Sequence, residues 1–185
     1  IFEETEIFWN QNAQDWDTQV GDEGDSNRIL NSDPVLWAFA GDVAGLHVLD
    51  AGCGTCYLSR KLLQRGATVI GVDFSEGMIQ IAREKSADID FRVGSCSDLA
   101  GIADQSIDMI VSNYVIMDIP HLDDTMQAFS RVLKDGGIAI LVFSHPCFPQ
   151  AYAIDSDDSN TVQYQWDFSY FEPQKRLCPP WNHFK

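Results

Sequence analysis

The residues best equipped for chemistry stand in two short stretches, each with a carboxylate closing an apolar run. Asp50 follows Leu46 to Leu49 and precedes Gly52, Cys53 and Gly54; Asp73 follows Ala67 to Val72, 23 positions further on (50 to 73). Glycine at 52 and 54 lets the backbone turn sharply and leaves no side chain between it and a ligand lying across a strand end. Asp50 beside that turn suits a cationic ligand group and repels a pyrophosphate. In a βαβ unit the two strands are parallel neighbours, so Asp73 lies beside the glycine turn, where it can accept hydrogen bonds from ribose hydroxyls. Cys53 and Cys56 form a CxxC, but no second ligand pair or thioredoxin-like context accompanies it. No metal site is expected, and both cysteines are taken as small residues in a crowded turn.

The elements that must position these residues follow from the hydrophobic pattern. Tyr57, Leu58, Leu62 and Leu63 mark a helix after the glycine turn, and Ser75 caps another that carries Met78, Ile79 and Ala82. Ile89 to Val93 and Ile107 to Val111 are further strands; a helix is expected over 123–133, stopped by Asp135-Gly136-Gly137, before an apolar strand from Ile138 to Phe143. Strands alternating with helices define an α/β fold with a mainly parallel sheet and helices on both faces.

Ahead of the sheet, Ile7, Phe8, Trp9, Ala13 and Trp16 recur at helical spacing over 5–17, either as a packing helix or as a lid over an apolar pocket. Arg28 is the one base in an acidic loop. It either forms a local ion pair or reaches the pocket to bind a carboxylate. Asp33 is expected to cap a helix that has Pro34 in its first turn. After Ser144, Thr161 to Phe171 alternates polar and aromatic residues, and His145 and Trp181 join Trp9, Trp16 and Arg28 as candidate substrate-lining residues. The organisation expected is a single domain over 1–185, with an N-terminal helical lid (1–41), a ligand-binding core (46–144) and a partial substrate cap (145–185).

The chain has 185 residues and a net charge of −16, which argues against a nucleic-acid partner, because that requires clustered Lys and Arg. No apolar run approaches the roughly 20 residues needed to span a bilayer. Five cysteines without a framework spacing suit a reducing compartment, so a soluble cytoplasmic protein is expected.

Leu49-Asp50-Ala51-Gly52-Cys53-Gly54-Thr55, Gly71-Val72-Asp73-Phe74-Ser75 and Leu133-Lys134-Asp135-Gly136-Gly137 together resemble the class I S-adenosylmethionine-dependent methyltransferases, over residues 46–144. The resemblance implies a Rossmann-like fold, S-adenosyl-L-methionine as cofactor and a small molecule as methyl acceptor. It places Gly52 and Gly54, with Cys53 between them, against the methionine part of the cofactor and Asp50 on its ammonium side. It sets Asp73 on the ribose, Phe74 and Met78 near the adenine, Ser95 and Cys96 beside its amino group, and the Asn113 carbonyl near the methionine amino group. Cys56 stands where the family often has a third glycine, and Ser95 where it often has an acid. Family members usually carry seven strands; five are legible here, so C-terminal strands are expected to be absent from the chain.

Methyl transfer from a sulfonium is an in-line displacement that needs positioning and a dry pocket more than a nucleophile. His145 is the first candidate for a general base, followed by Tyr114 and then by Asp118 and His121. Two rivals stand beside this reading. One is a methyltransferase-like domain that binds ligand without catalysis; the other is an NAD-dependent oxidoreductase, whose fingerprint wants glycine where Tyr57 stands.

Overall fold

A computed structural model describes residues 2–144 together with Tyr152–Ile154 and Gln163–Gln165. His145 and Trp181 lie outside the described residues. The chain divides into two units, Ile1–Phe143 and Ser144–Lys185. In the first, α1 (Phe2–Gln11), α2 (Ala13–Val20), a π-helical turn (Arg28–Ser32) and α3 (Asp33–Ala40) precede the sheet. Then come β1 (His47–Ala51), α4 (Tyr57–Gln64), β2 (Thr68–Asp73), α5 (Glu76–Lys85), β3 (Asp90–Val93), β4 (Ile107–Asn113), a 3₁₀ turn (Ile116–Asp118), α6 (Leu122–Val132) and β5 (Leu133–Val142). In the second unit β6 (Tyr152–Ile154) pairs antiparallel with β7 (Gln163–Gln165).

The five strands of the first unit are all parallel, in the order β3-β2-β1-β4-β5. The order reverses between β1 and β4, and ligands of open parallel sheets bind beyond the carboxyl ends of the strands at such a switch point. Alternation along the strands divides the core. Val48, Val69, Phe91 and Met109 face Leu58, Leu62, Ile79 and Ala82 of α4 and α5, whereas Leu49, Ala51, Val72 and Ile110 face Ala128, Phe129 and Val132 of α6. Helices therefore cover both faces, as the pattern requires. Gly71, paired with Asp50 in β2, is small because the Phe91 ring crosses it: an added Cβ would lie 2.6 Å from Phe91 Cδ1.

Three local expectations are corrected. The helix expected over 5–17 is two helices, because Asn12 leaves helical geometry (φ −104°, ψ 9°) and its side-chain Nδ2 donates to the Phe8 carbonyl at 2.7 Å. Asp33 is not a cap. The π-helical turn runs straight into α3, so the Asp33 N–H already donates to the Arg28 carbonyl, and its carboxylate instead accepts from Tyr57 Oη (3.2 Å) and Lys61 Nζ (3.0 Å). Asp135-Gly136-Gly137 lies inside β5 rather than ending α6. Leu133 pairs with Ile107 and Ile138 with Met109, so residues 134–137 form a bulge whose Lys134 bonds Asp108 at 2.7 Å.

The N-terminal helices are fastened to the start of α5. Ser75 accepts from the Met78 N–H at 3.2 Å, as expected of the cap, and Asn10 Oδ1 from α1 accepts from Ser75 Oγ (2.8 Å) and the Gly77 N–H (3.0 Å). Lys85 at the other end of α5 bonds Asp17 and Asp22. No helix among the described residues is long and apolar enough to cross a membrane.

Candidate functional site

The backbone builds the site first. The N–H groups of Gly52 and Cys53 both donate to the Val72 carbonyl, at 2.8 and 3.0 Å, so the turn after β1 hangs from the end of β2. Gly52 (φ +81°) and Gly54 (φ +51°) occupy the left-handed region that glycine enters without steric cost. Cys56 also has a positive φ (+74°), which explains why glycine would suit that position; it is fully buried at the start of α4. Burial pushes the Cys56 thiol up to about 11 and Cys53 well above its ordinary value, so neither is poised as a thiolate.

Asp73 ties the turn to α5. One carboxylate oxygen accepts from the Gly54 N–H and the other from the Ser75 N–H, both at 2.9 Å. Each oxygen keeps a free lone pair, because a carboxylate has about four acceptor sites. Burial raises its pKa and the two backbone bonds oppose the rise. Asp73 opens onto a cleft at the carboxyl edge of the sheet, lined also by Gly52, Phe74, Ser95 and Cys96. Thr5, Ser97, Val115, Asp118, Ile119 and Pro120 complete its walls. Tyr114, in the left-handed region (φ +60°), turns the chain so that Val115 packs directly over Gly52.

Asp50 and Met78 do not line this cleft. Side chains two apart in a strand share a face, so Asp50 points with Val48 toward α4. There its carboxylate, 2% exposed, accepts from Ser59 Oγ at 2.5 Å. Burial pushes its pKa up to about 7, with the Ser59 bond opposing and the Asp73 charge adding to the rise. The unfolded value is about 3.9, so the folded protein holds an extra proton between about pH 4 and 7. The stability this contributes is complete below the unfolded pKa and is lost as pH rises through the folded one. Thermal unfolding of the ligand-free protein should show a fall in Tm from pH 5 to pH 8, and Asp50→Asn should flatten it. The same Tm difference in both proteins would contradict the assignment. Asp73, shifted in the same direction, leaves a residual slope.

A second cluster lies on the other side of the glycine turn. Trp16 Nε1 would sit 3.4 Å from a Cβ added at Gly54. The Arg28 guanidinium stacks over Trp16, Tyr57 and Tyr114, with its Cζ 4.9, 5.5 and 5.4 Å from the ring centroids. Arg28 is 5% exposed, and its Nη1 bonds Asp25 at 2.7 Å. Of the two sequence alternatives for Arg28, the structure shows the local ion pair; Arg28 does not line the cleft. Asn113, at the end of β4, donates through Nδ2 to Tyr57 Oη. Tyr57 in turn donates to Asp33, and burial followed by the Asp33 charge raises its pKa.

Tyr114 belongs to this cage, and its hydroxyl accepts from Asn27 at 3.0 Å. Asp118 lines the cleft, and His121 is exposed at the start of α6. Trp9 packs edge-on against Trp16 at 5.0 Å. Sequence reasoning missed Tyr57 as a structural hub and Val115 as the cover of Gly52. The one available signal was Tyr57 opening the helix directly after the glycine turn.

Comparison with known proteins defines the class. Residues 49–141, half of the chain, match the family model described as a methyltransferase domain. The chain therefore belongs to the methyltransferase domain family, and its sheet order and glycine turn are those of the S-adenosylmethionine-dependent, Rossmann-like branch. It is 35% identical over 100 residues to a ubiquinone biosynthesis O-methyltransferase of Xanthomonas oryzae pv. oryzae, covering 52% of this chain and 42% of that protein. It is 36% identical over 151 residues to a malonyl-[acyl-carrier protein] O-methyltransferase of Hamiltonella defensa, covering 80% and 57%. Among solved structures, magnesium protoporphyrin IX methyltransferase from Synechocystis with bound S-adenosylmethionine aligns with a TM-score of 0.52 and 25% identity, over 65% of this chain and 64% of that one. The chain spans about half the length of the curated relatives it matches.

Proposed function

We propose that the protein is an S-adenosylmethionine-dependent methyltransferase that acts on a small molecule by direct in-line transfer. The observation that carries this reading is Asp73: a buried carboxylate with free lone pairs, bonded to the Gly54 N–H, at the edge of a cleft beside the β1/β4 switch point. That arrangement fits a ribose whose two hydroxyls donate to one carboxylate. The apolar wall beyond it, with Phe74, Val115, Ile119 and Pro120, fits a purine. The cofactor's sulfonium supplies the methyl group when bound; the buried carboxylate of Asp73 at the cleft favours that positive charge.

The protein's own contribution is positioning and exclusion of water. α1 and α2, clamped on α5 by Asn10 and Lys85, bring Thr5 to the cleft and Trp16 to the glycine turn, which supports a lid role for the N-terminal helices. His145 follows two residues after the last described residue of the first unit, and we assign it the general base, with Tyr114 as the second choice. Trp9, Trp16, Arg28, His145 and Trp181 are the proposed substrate-side residues. The acceptor is a small molecule. An oxygen is the first acceptor atom to try, because the Xanthomonas and Hamiltonella relatives are O-methyltransferases. The free, buried cysteines 53, 56 and 96 suit work in the cytoplasm.

The test is incubation with methyl-labelled S-adenosylmethionine and a panel of hydroxylated and carboxylated small molecules. Formation of S-adenosylhomocysteine with a labelled acceptor supports the reading. Tight cofactor binding with no transfer across the panel would favour a domain that binds ligand without catalysis.

A further inference from the structure

The π-helical turn and α3 form one helical run, and its outer face carries an apolar strip that neither the core nor the cleft uses. Residues 28–40 bury one side only: Arg28, Ser32, Asp33, Leu36 and Ala40 face inward. The opposite side presents two rows in steps of four, all exposed: Leu30, Pro34 and Ala38 in one, Asn31, Val35 and Phe39 in the other. Leu30 and Phe39 are 73% and 74% exposed, more than any other large apolar side chain among the described residues.

The chain has a net charge of −16, yet this strip carries none. Asp33, the one ionisable residue between Ile29 and Ala40, is buried and bonded to Tyr57 and Lys61. Polar groups stand at the border. Asn31 Nδ2 donates to Asn27 Oδ1 at 3.1 Å at one end, and along one side the Arg65 guanidinium stacks on the Trp37 ring, 3.7 Å from its centroid. An apolar centre inside a polar rim is the layout of a protein interface. The strip itself offers no Lys or Arg to an anionic lipid surface or a nucleic acid. It does fit itself. In an antiparallel pair with the two-fold axis between Pro34 and Val35, Leu30 of each copy faces Phe39 of the other, and Asn31 faces Ala38. Rows in steps of four from both helices then interdigitate, the commonest class of helix packing.

We propose that the Leu30–Phe39 strip is a self-association surface, through which two copies of this chain form a symmetric dimer. The proposal is independent of the methyltransferase reading. About 500 Å² from each copy is covered in such a pair, close to the roughly 1,000 Å² total at which specific interfaces begin. The dimer is therefore weak, with a Kd of about 10–100 µM. Each copy also repels the other through its excess of acids, all of which lie outside the strip. Salt screens that repulsion and leaves the apolar contact intact, so added salt tightens the dimer.

The test is sedentation equilibrium of the whole chain from about 1 to about 300 µM, at about 0.05 and 0.5 M sodium chloride. Wild type should pass from monomer to dimer across that range, at lower concentration in the higher salt. Leu30→Glu/Phe39→Glu should weaken the dimer at least tenfold with Tm unchanged, because both side chains are exposed. Leu30→Lys/Phe39→Glu should dimerise at least tenfold more tightly than the double-glutamate variant, since the antiparallel register sets each lysine against a glutamate of the other copy. Within one chain positions 30 and 39 are more than two helical turns apart, so the rescue reads the contact between copies. A wild type that stays monomeric at every concentration overturns the proposal. So does a double-glutamate variant that associates like wild type, or a lysine–glutamate variant no tighter than it. Binding of the monomer to phosphatidylcholine vesicles, abolished by Phe39→Glu, with no dimer in solution, would make the strip a lipid contact instead.

Discussion

Replacing Asp73 by alanine is expected to weaken S-adenosylhomocysteine binding by two to three orders of magnitude. Two ligand hydrogen bonds to a charged acceptor contribute about 1.5–3 kcal/mol each. The loss also reaches the protein itself. The N–H groups of Gly54 and Ser75 lose their acceptor, so the turn after β1 and the start of α5 are no longer joined. A Tm decrease should accompany the loss of affinity. Asp73→Asn should do nearly as badly despite its equal volume, since its amide group presents a donor to one of the two backbone N–H groups. Calorimetry and thermal unfolding measure both effects, and an affinity within threefold of wild type for either variant would remove Asp73 from the cofactor site.

Gly52→Ala carries the second large effect, for two separable reasons. At φ +81° an L-residue costs about 1–2 kcal/mol. The new Cβ would also stand 2.5 Å from Val115 Cγ1 and 2.9 Å from Val115 Cβ. Relief by movement is blocked on both sides, because the Gly52 and Cys53 N–H groups are bonded to Val72 and the Tyr114 ring next to Val115 is held under Arg28. Overpacking of this kind adds about 1–3 kcal/mol, for a total near 3 kcal/mol, with loss of cofactor binding. The double variant Gly52→Ala/Val115→Ala should regain the packing part and not the backbone part. A double-mutant cycle measures the coupling, and strict additivity would show that Val115 does not press on Gly52.

Much of the frame was legible because local and global signals agreed. β1 to α4, β2 ending at Asp73, and the Ser75 cap each combine an apolar period with a turn or cap residue, and all three appear where the pattern put them. Asp73, Phe74, Ser95 and Cys96 follow strand ends, so parallel topology alone brings them to one edge. What was illegible depended on contacts distant in sequence. Asp33 carries the signature of a cap, yet the π-helical turn before it satisfies its N–H and frees the carboxylate for Tyr57 and Lys61. The bulge at 134–137 is set by pairing with β4, and a glycine pair looks the same in a bulge as at a helix end. Asp50 shows the limit most clearly. Its type and place beside the turn pointed to the ligand, while strand parity aims its side chain at Ser59. Arg28 was visible as an isolated base, but its aromatic cage is built from residues 12 to 86 positions away.

The most direct test of the central claim is a calorimetric titration of the protein with S-adenosylhomocysteine and, separately, with NAD. Saturable one-to-one binding of S-adenosylhomocysteine in the micromolar range, with no heat from NAD, is the predicted result. Binding of NAD without binding of S-adenosylhomocysteine would contradict it, and would make the Asp73 cleft a dinucleotide site.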